Sequence, residues 1–419
     1  LALTAFRELE KTADKQKPYL QYRIGKMYQY GLGTETDYIE AHDWFERSAN
    51  QNNKYAQFSL ANMYYYGTGV EQDFQKAFEW YERSYQQGMP YAAFALGQMY
   101  SRGQYVDKDD EKAQKCYKEA LQGFLNMETD AADDNLLYKI GQMYRDGKGT
   151  KSDIAKALKF FERSAELNNV NAQRIMGVEY VTGENVAQDV PKGLKMLTAL
   201  AGKNDTLAAL KLGQFYMRGE YVEKDLDKAE KYLLSAEENE LAMYSLGKLY
   251  LTEEKKDIMK AAHYFEKACE KPSIRPFAAY TYAKLLLDDT PIHDSEKAVK
   301  LLADNAADND QCAYLLGKLY LFGTKDVPKN IDAAEQWLKY AAGHENKNAA
   351  VILERGIRKI YARKAFRNAA SGSQHIMDRC AGSIERLLRE SEAHLKALQN
   401  EYEYNVEQHG MFDEYEREY

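Results

Sequence analysis

The sequence predicts an all-α protein, a right-handed α-α superhelix of about nine helix-turn-helix repeats with a helical C-terminal extension. Three observations predict it. A small residue returns at near-constant spacing, at Gly25, Ala61, Gly97, Gly141, Gly177, Gly213, Gly247, Ala283 and Gly317, with intervals of 36, 36, 44, 36, 36, 34, 36 and 34. Three positions on from each stands Tyr28, Tyr64, Tyr100, Tyr144, Tyr180, Tyr216, Tyr250 or Tyr320, with Leu286 in the one remaining unit. The 419 residues hold 7 Pro and 26 Gly against 34 Tyr, which suits helices better than sheets. A period of this length marks a solenoid, in which each unit packs only on its neighbours.

Each repeat reads in order. In the first helix the small residue lets the adjacent helix approach, and the aromatic lies one turn on, on the same face. A glycine turn follows in most units, as in Gly31-Leu32-Gly33, Gly67-Thr68-Gly69 and Gly147-Lys148-Gly149. Glycine ends a helix there because it takes backbone conformations other residues avoid. The second helix carries a small residue and a bulky pair: Ala41 with Trp44-Phe45, Ala77 with Trp80-Tyr81, Ala157 with Phe160-Phe161, Ala334 with Trp337-Leu338. A lone hairpin cannot bury that pair, so the hairpins must stack.

The array is not uniform. The 44-residue interval holds an insertion around Phe124–Asp134. The units Leu241–Lys271 and Phe277–Asp308 lack the glycine turn and carry Glu253-Glu254-Lys255-Lys256 and Asp288-Asp289-Thr290-Pro291 instead. Leu1–Thr12, with Ala5-Phe6, reads as the second helix of an earlier unit, so the chain reads as a fragment of a longer protein. The expected organisation is a remnant helix over 1–18, the solenoid over 19–347, a helical extension or cap over 348–408 and an acidic tail over 409–419.

Several functions are disfavoured. No apolar run approaches the roughly 18 residues of a membrane span. The net charge of -8 argues against general nucleic-acid binding. Gly141 to Gly149 only loosely suggests a phosphate loop, since five residues rather than four separate Gly141 from Gly147 and Gly149 stands where Ser or Thr is needed. The seven histidines, among them His42, His263 and His293, make no metal-ligand spacing, and no nucleophile motif appears. The expectation is therefore no enzyme, no metal and no cofactor. Cys116, Cys269, Cys312 and Cys380 are far apart, which points to a reducing, cytoplasmic setting.

The stretch Ala56-Gln57-Phe58-Ser59-Leu60-Ala61-Asn62-Met63-Tyr64-Tyr65-Tyr66-Gly67-Thr68-Gly69-Val70, followed by Lys76-Ala77-Phe78-Glu79-Trp80-Tyr81, resembles the Sel-one-like repeat, a relative of the tetratricopeptide repeat. The resemblance covers roughly 19–345. It implies an adaptor that assembles other proteins. Secreted relatives often carry a cysteine pair in each repeat, which this chain lacks.

A ligand is expected along the concave face, which the first helices line. One inward lane, three before the small residue, reads Tyr22, Phe58, Phe94, Tyr138, Arg174, Leu210, Tyr244, Tyr280 and Tyr314. The other, one after it, reads Lys26, Asn62, Gln98, Gln142, Val178, Gln214, Lys248, Lys284 and Lys318. Rigid aromatic area beside side-chain donors suits a peptide, though such residues also suit packing and a solvated helix face. Lys248, Lys284 and Lys318 beside Tyr244, Tyr280 and Tyr314 point to an acidic or carboxylate-bearing segment.

Beyond about Asn348 the repeat stops. Arg355, Arg358, Lys359, Arg363, Lys364 and Arg367 form a basic stretch, and Ile384, Leu388, Leu395, Leu398 and Tyr402 fall at heptad positions. Three readings stay open here: a cap on the solenoid, a dimerisation helix over 384–402, or a contact with nucleic-acid phosphates. The third draws on Tyr314-Leu315-Leu316-Gly317-Lys318-Leu319-Tyr320-Leu321-Phe322-Gly323 with Asp326-Val327-Pro328-Lys329, which is similar to repeats following some plasmid-mobilisation relaxases. That resemblance implies a non-catalytic accessory region, with the basic helix near DNA.

Overall fold

The computed structural model describes residues 2–131 and 133–357, and no strand occurs among them. The chain divides into two compact units, Leu1–Leu212 and Gly213–Tyr419. In the first, α1 (Ala2–Thr12) precedes five hairpins: α2 (Lys17–Tyr30) with α3 (Tyr38–Asn50), α4 (Lys54–Tyr66) with α5 (Phe74–Gln86), α6 (Pro90–Arg102) with α7 (Asp110–Ala131), α8 (Asp134–Asp146) with α9 (Ile154–Glu166), and α10 (Val170–Thr182) with α11 (Val190–Ala201). The division falls inside α12 (Thr206–Arg218), which pairs with α13 (Leu226–Ser235). The second unit continues with α14 (Glu240–Leu249) and α15 (Ile258–Cys269), α16 (Arg275–Leu287) and α17 (Ser295–Asn305), α18 (Asp310–Phe322) and α19 (Ile331–Gly343), then α20 (Lys347–Ile352).

The recurring small residue closes each hairpin as its spacing predicts. A Cβ on Gly141 would lie 2.6 Å from the Phe161 ring, and one on Gly247 would lie 2.6 Å from the Phe265 ring. Both rings are almost fully buried. The second member of each bulky pair thus fills the space that the missing side chain leaves.

A polar clamp holds the other end of the hairpin. Asp73 caps α5 by accepting from the Lys76 N–H, while its own N–H donates to the Tyr64 carbonyl at 2.9 Å. Asp37, Asp153, Asp189 and Asp225 repeat the arrangement on α3, α9, α11 and α13. A short polar side chain is what the orphan N–H groups of a helix start require. The clamp survives where the glycine turn is lost: Asp257 and Asp294 donate to the Tyr250 and Leu286 carbonyls, both at 2.9 Å. A 3₁₀ turn over Glu253–Lys255 replaces the glycines in the former unit.

Successive hairpins join through close backbone approach at the glycine turn. Gly67 ends α4 in the left-handed region at φ +67°, and Gly69 sits against Tyr38, where a Cβ would lie 2.6 Å from the Tyr38 Cβ. So the first glycine of the turn caps its own helix and the second admits the preceding hairpin. Within a hairpin, Ser84 Oγ of α5 donates to the Lys54 carbonyl of α4 at 2.8 Å, and Ser164 Oγ of α9 to the Asp134 carbonyl of α8 at 2.6 Å. The predicted insertion is helical. It extends α7 to 22 residues, against 13 in α5 or α9. Phe124 there is fully buried, with its ring 4.8 Å from that of Tyr91.

At the N-terminus, Leu3 and Phe6 of α1 pack on the core of the first hairpin. At the other end, the Arg355 side chain, Arg358, Lys359, Arg363, Lys364, Arg367, the heptads of 384–402, Cys380 and the acidic tail all lie outside the described residues.

Candidate functional site

The lane three before the small residue is not a free surface. Tyr22, Phe58, Phe94, Tyr138, Tyr244, Tyr280 and Tyr314 are each half-buried, and Leu210 is 2% exposed. Five of these rings lean on the second helix of their own hairpin. The Tyr22, Phe58, Phe94, Tyr138 and Tyr244 centroids lie 6.0, 5.8, 5.4, 5.5 and 5.8 Å from those of Phe45, Tyr81, Tyr117, Phe161 and Phe265. Such offset, tilted pairs add a modest attraction to the area they bury. Arg174 does something else. Its Nε and Nη2 make a bidentate pair with Asp205 at 3.1 and 2.7 Å. Burial pushes the Asp205 carboxyl up, but the Arg174 bonds and the Ala208 N–H outweigh it and leave its pKa lowered.

In the second unit the tyrosines and lysines stack within each first helix. Lys248, Lys284 and Lys318 lie 4.7, 5.7 and 5.7 Å from the ring centroids of Tyr244, Tyr280 and Tyr314. This is the spacing of a cation–π contact, and it follows from the i, i+4 placement of each pair. Lys248 is 7% exposed. Burial, then the nearby Arg218, lowers its pKa to about 8. Burial also lowers the pKa of Lys284, while Asp288 acts in the opposite sense. The Tyr244 and Thr281 hydroxyls hydrogen-bond at 3.1 Å, tying α14 to α16.

In the first unit both lanes line one cavity of about 210 Å³. Phe58 and Asn62 reach it from α4, Phe94 and Gln98 from α6. The Tyr81 hydroxyl donates to Asn62 Oδ1 at 2.6 Å, which fixes that amide. Tyr65 is held at the rim by its bond to Gln104 Oε1 at 2.7 Å. Tyr91 fills the wall with its centroid 5.9 Å from that of Phe58. Two more lining residues fall outside both predicted lanes. Ala95 and Lys139 occupy the position two before the small residue, in α6 and α8. Alanine leaves space, and the long lysine of the next hairpin reaches into it. Lys139 Nζ sits 4.4 Å from the Phe94 ring centroid. Burial, then Lys148, lowers its pKa. The lane rule missed it because its role depends on the small neighbour one repeat earlier.

The loose phosphate-loop glycines have structural positions: Gly141 lies inside α8, Gly147 caps that helix at φ +66°, and Gly149 packs on the Tyr117–Lys118 backbone. Among the described residues no group of three or more His, Cys, Asp or Glu is placed to hold a metal, and no helix is long and apolar enough to cross a membrane. Cys116, Cys269 and Cys312 are free thiols, and burial pushes Cys269 and Cys312 up to about 12.

Stacked antiparallel hairpins, closed by a small residue and an aspartate clamp and presenting first helices side by side, define an all-α, tetratricopeptide-like solenoid. The chain belongs to the Sel1 repeat family: that model matches residues 18–53, 54–89, 90–123, 136–169, 170–205, 206–241, 240–273 and 310–345. This fold generally serves as a protein-interaction scaffold. The matches skip the helical insertion and the hairpin α16–α17, which has lost its glycine turn. Among solved structures, a protective antigen of uropathogenic Escherichia coli with an SLR fold is 24% identical, with TM-score 0.60 over 95% of this chain and 82% of that one. A Sel1 repeat protein from Oxalobacter formigenes is 27% identical over 56% of this chain and 99% of that one, with TM-score 0.42. A signal-transduction ATPase with a tetratricopeptide repeat sensor from Pyrococcus horikoshii is 13% identical, with TM-score 0.50 over 84% and 56%. No match to a curated protein was found. These findings give the relaxase-type resemblance no support.

Proposed function

We propose that this chain is a non-enzymatic, cytoplasmic adaptor that binds an acidic segment of a partner protein along its first helices. The observation that carries the reading is the side-by-side placement of aromatic area and polar ends on one helix set. In the first unit, Phe58 and Phe94 share a cavity with the amides of Asn62 and Gln98. In the second, lysine ammonium groups lie over Tyr280 and Tyr314. Aromatic anchors with few rotatable bonds lose little entropy on binding, and positioned cations favour carboxylates. Among the described residues Cys116, Cys269 and Cys312 form no disulfide, which suits a reducing compartment.

A random dodecapeptide library displayed on phage, panned on the full chain, tests this. Enriched peptides should carry Asp or Glu beside a bulky apolar residue. Their affinity, read by fluorescence anisotropy, should fall roughly tenfold or more with F58A/F94A or with Y280A/Y314A, according to the unit each peptide binds, as expected when anchoring aromatics are truncated. No enrichment, or selected peptides without acidic residues, would overturn the reading.

A further inference from the structure

We infer that the cavity between α4, α6 and α8 is a two-part socket that takes one bulky apolar side chain of a partner together with a neighbouring side-chain carboxylate on Lys139. This rests on the adaptor reading and names a subsite within it. The volume, about 210 Å³, is below the roughly 300 Å³ at which small-molecule sites begin. It suits a single side chain. Its walls are the rings of Phe58, Tyr91 and Phe94, and its floor is open because Ala95 is small. An apolar side chain entering there meets aromatic faces, and a segment running past them meets the Asn62 and Gln98 amides.

Lys139 sets the charge. Its ammonium lies over Phe94 and makes no ion pair or hydrogen bond among the described residues. The charged group that acts on it most is another cation, Lys148, which is itself paired with Asp146 at 2.9 Å. A partly buried ammonium facing an aromatic ring and a like charge, with no carboxylate beside it, is complementary to an incoming anion. A carboxylate there is poorly screened by salt and forms a charge-assisted bond. The neighbouring repeat holds a cation that is already satisfied: Arg174, in the lane three before the small residue, is neutralised by Asp205. Among the described residues Lys139 is thus an ammonium beside the aromatic walls with no carboxylate paired to it.

The same phage library supplies the probe. Displayed peptides have no free C-terminus, so only side-chain carboxylates are offered. Synthetic copies of the enriched peptides that lose affinity with F58A/F94A should bind K139Q roughly tenfold more weakly than the unaltered chain, the loss expected for one charge-assisted bond. K139R should retain binding. Panning on K139E should shift the enriched sequences from Asp and Glu toward Lys and Arg. Replacing the acidic residue of a peptide by its amide should cost as much as K139Q, and the two changes together should cost little more than either alone. Full affinity for K139Q and K139E in chains with unchanged melting temperature would overturn the inference. Enriched peptides that all lose affinity with Y280A/Y314A and none with K139Q would overturn it while leaving the adaptor reading in place. Affinity gained by freeing an amidated C-terminus would assign Lys139 to a terminal carboxylate and overturn it as stated.

Discussion

At Gly141 two opposing rules meet. Alanine favours a helix interior over glycine by up to about 1 kcal/mol. Yet a Cβ at Gly141 would press on the Phe161 ring at 2.6 Å and approach the Ala157 carbonyl at 3.2 Å. Phe161 is 1% exposed and has nowhere to go. Overpacking of this kind costs roughly 1–3 kcal/mol, so the clash outweighs the propensity gain. G141A should therefore lower the melting temperature. G343A, in a helix where nothing lies within 4 Å, should leave it unchanged or raise it slightly. Equal effects from the two would contradict the close-approach role of the small residue. That role was legible in the sequence because it depends on one residue type at a fixed interval. The roles of Arg174 and Lys139 were not, because each depends on what the next hairpin places opposite: Asp205 for one, Ala95 and Phe94 for the other.

The second helix of most hairpins starts the same way, with an aspartate cap and a lysine three residues on; α19 has Asn330 as its cap. The Lys112, Lys156 and Lys228 backbone N–H groups, and then their ammonium groups, hold Asp109, Asp153 and Asp225 below the ordinary carboxylate range. Each lysine also reaches the aromatic of the first helix, as Lys156 does at 5.4 Å from Tyr144. A pKa lowered by folding stabilises the folded state above the unfolded value of about 3.9, and the gain is lost as pH falls through the folded value. Stability should therefore drop on acidification from about pH 5 to about pH 2, and drop less in D109N/D153N/D225N, where asparagine still caps but does not titrate. Parallel acid profiles from thermal melts of the two chains would contradict this clamp. The hairpins without a glycine turn were readable as irregular. That they keep the clamp, through Asp257 and Asp294, was not, since the turn was the more visible signal.

For the whole chain, the fold was almost fully legible and the site only in part. Among the described residues nine hairpins follow from nine small residues, because a solenoid repeats one local solution and each repeat restates it. Periodicity assigned two lanes on the first helices, but it assigns a direction and not an exposure. Phe58, Phe94, Asn62 and Gln98 do meet at a cavity, whereas Leu210 and Lys248 are buried. The central claim is that a partner segment lies on the first helices and not on the second. Photo-crosslinking tests it most directly. A p-benzoylphenylalanine placed at Gln98, on α6, is compared with one at Glu79, an exposed position on α5. With a phage-selected acidic peptide, the account predicts a peptide adduct from position 98 and none from position 79. An adduct from position 79 alone, with the peptide still bound at unchanged affinity, would contradict it.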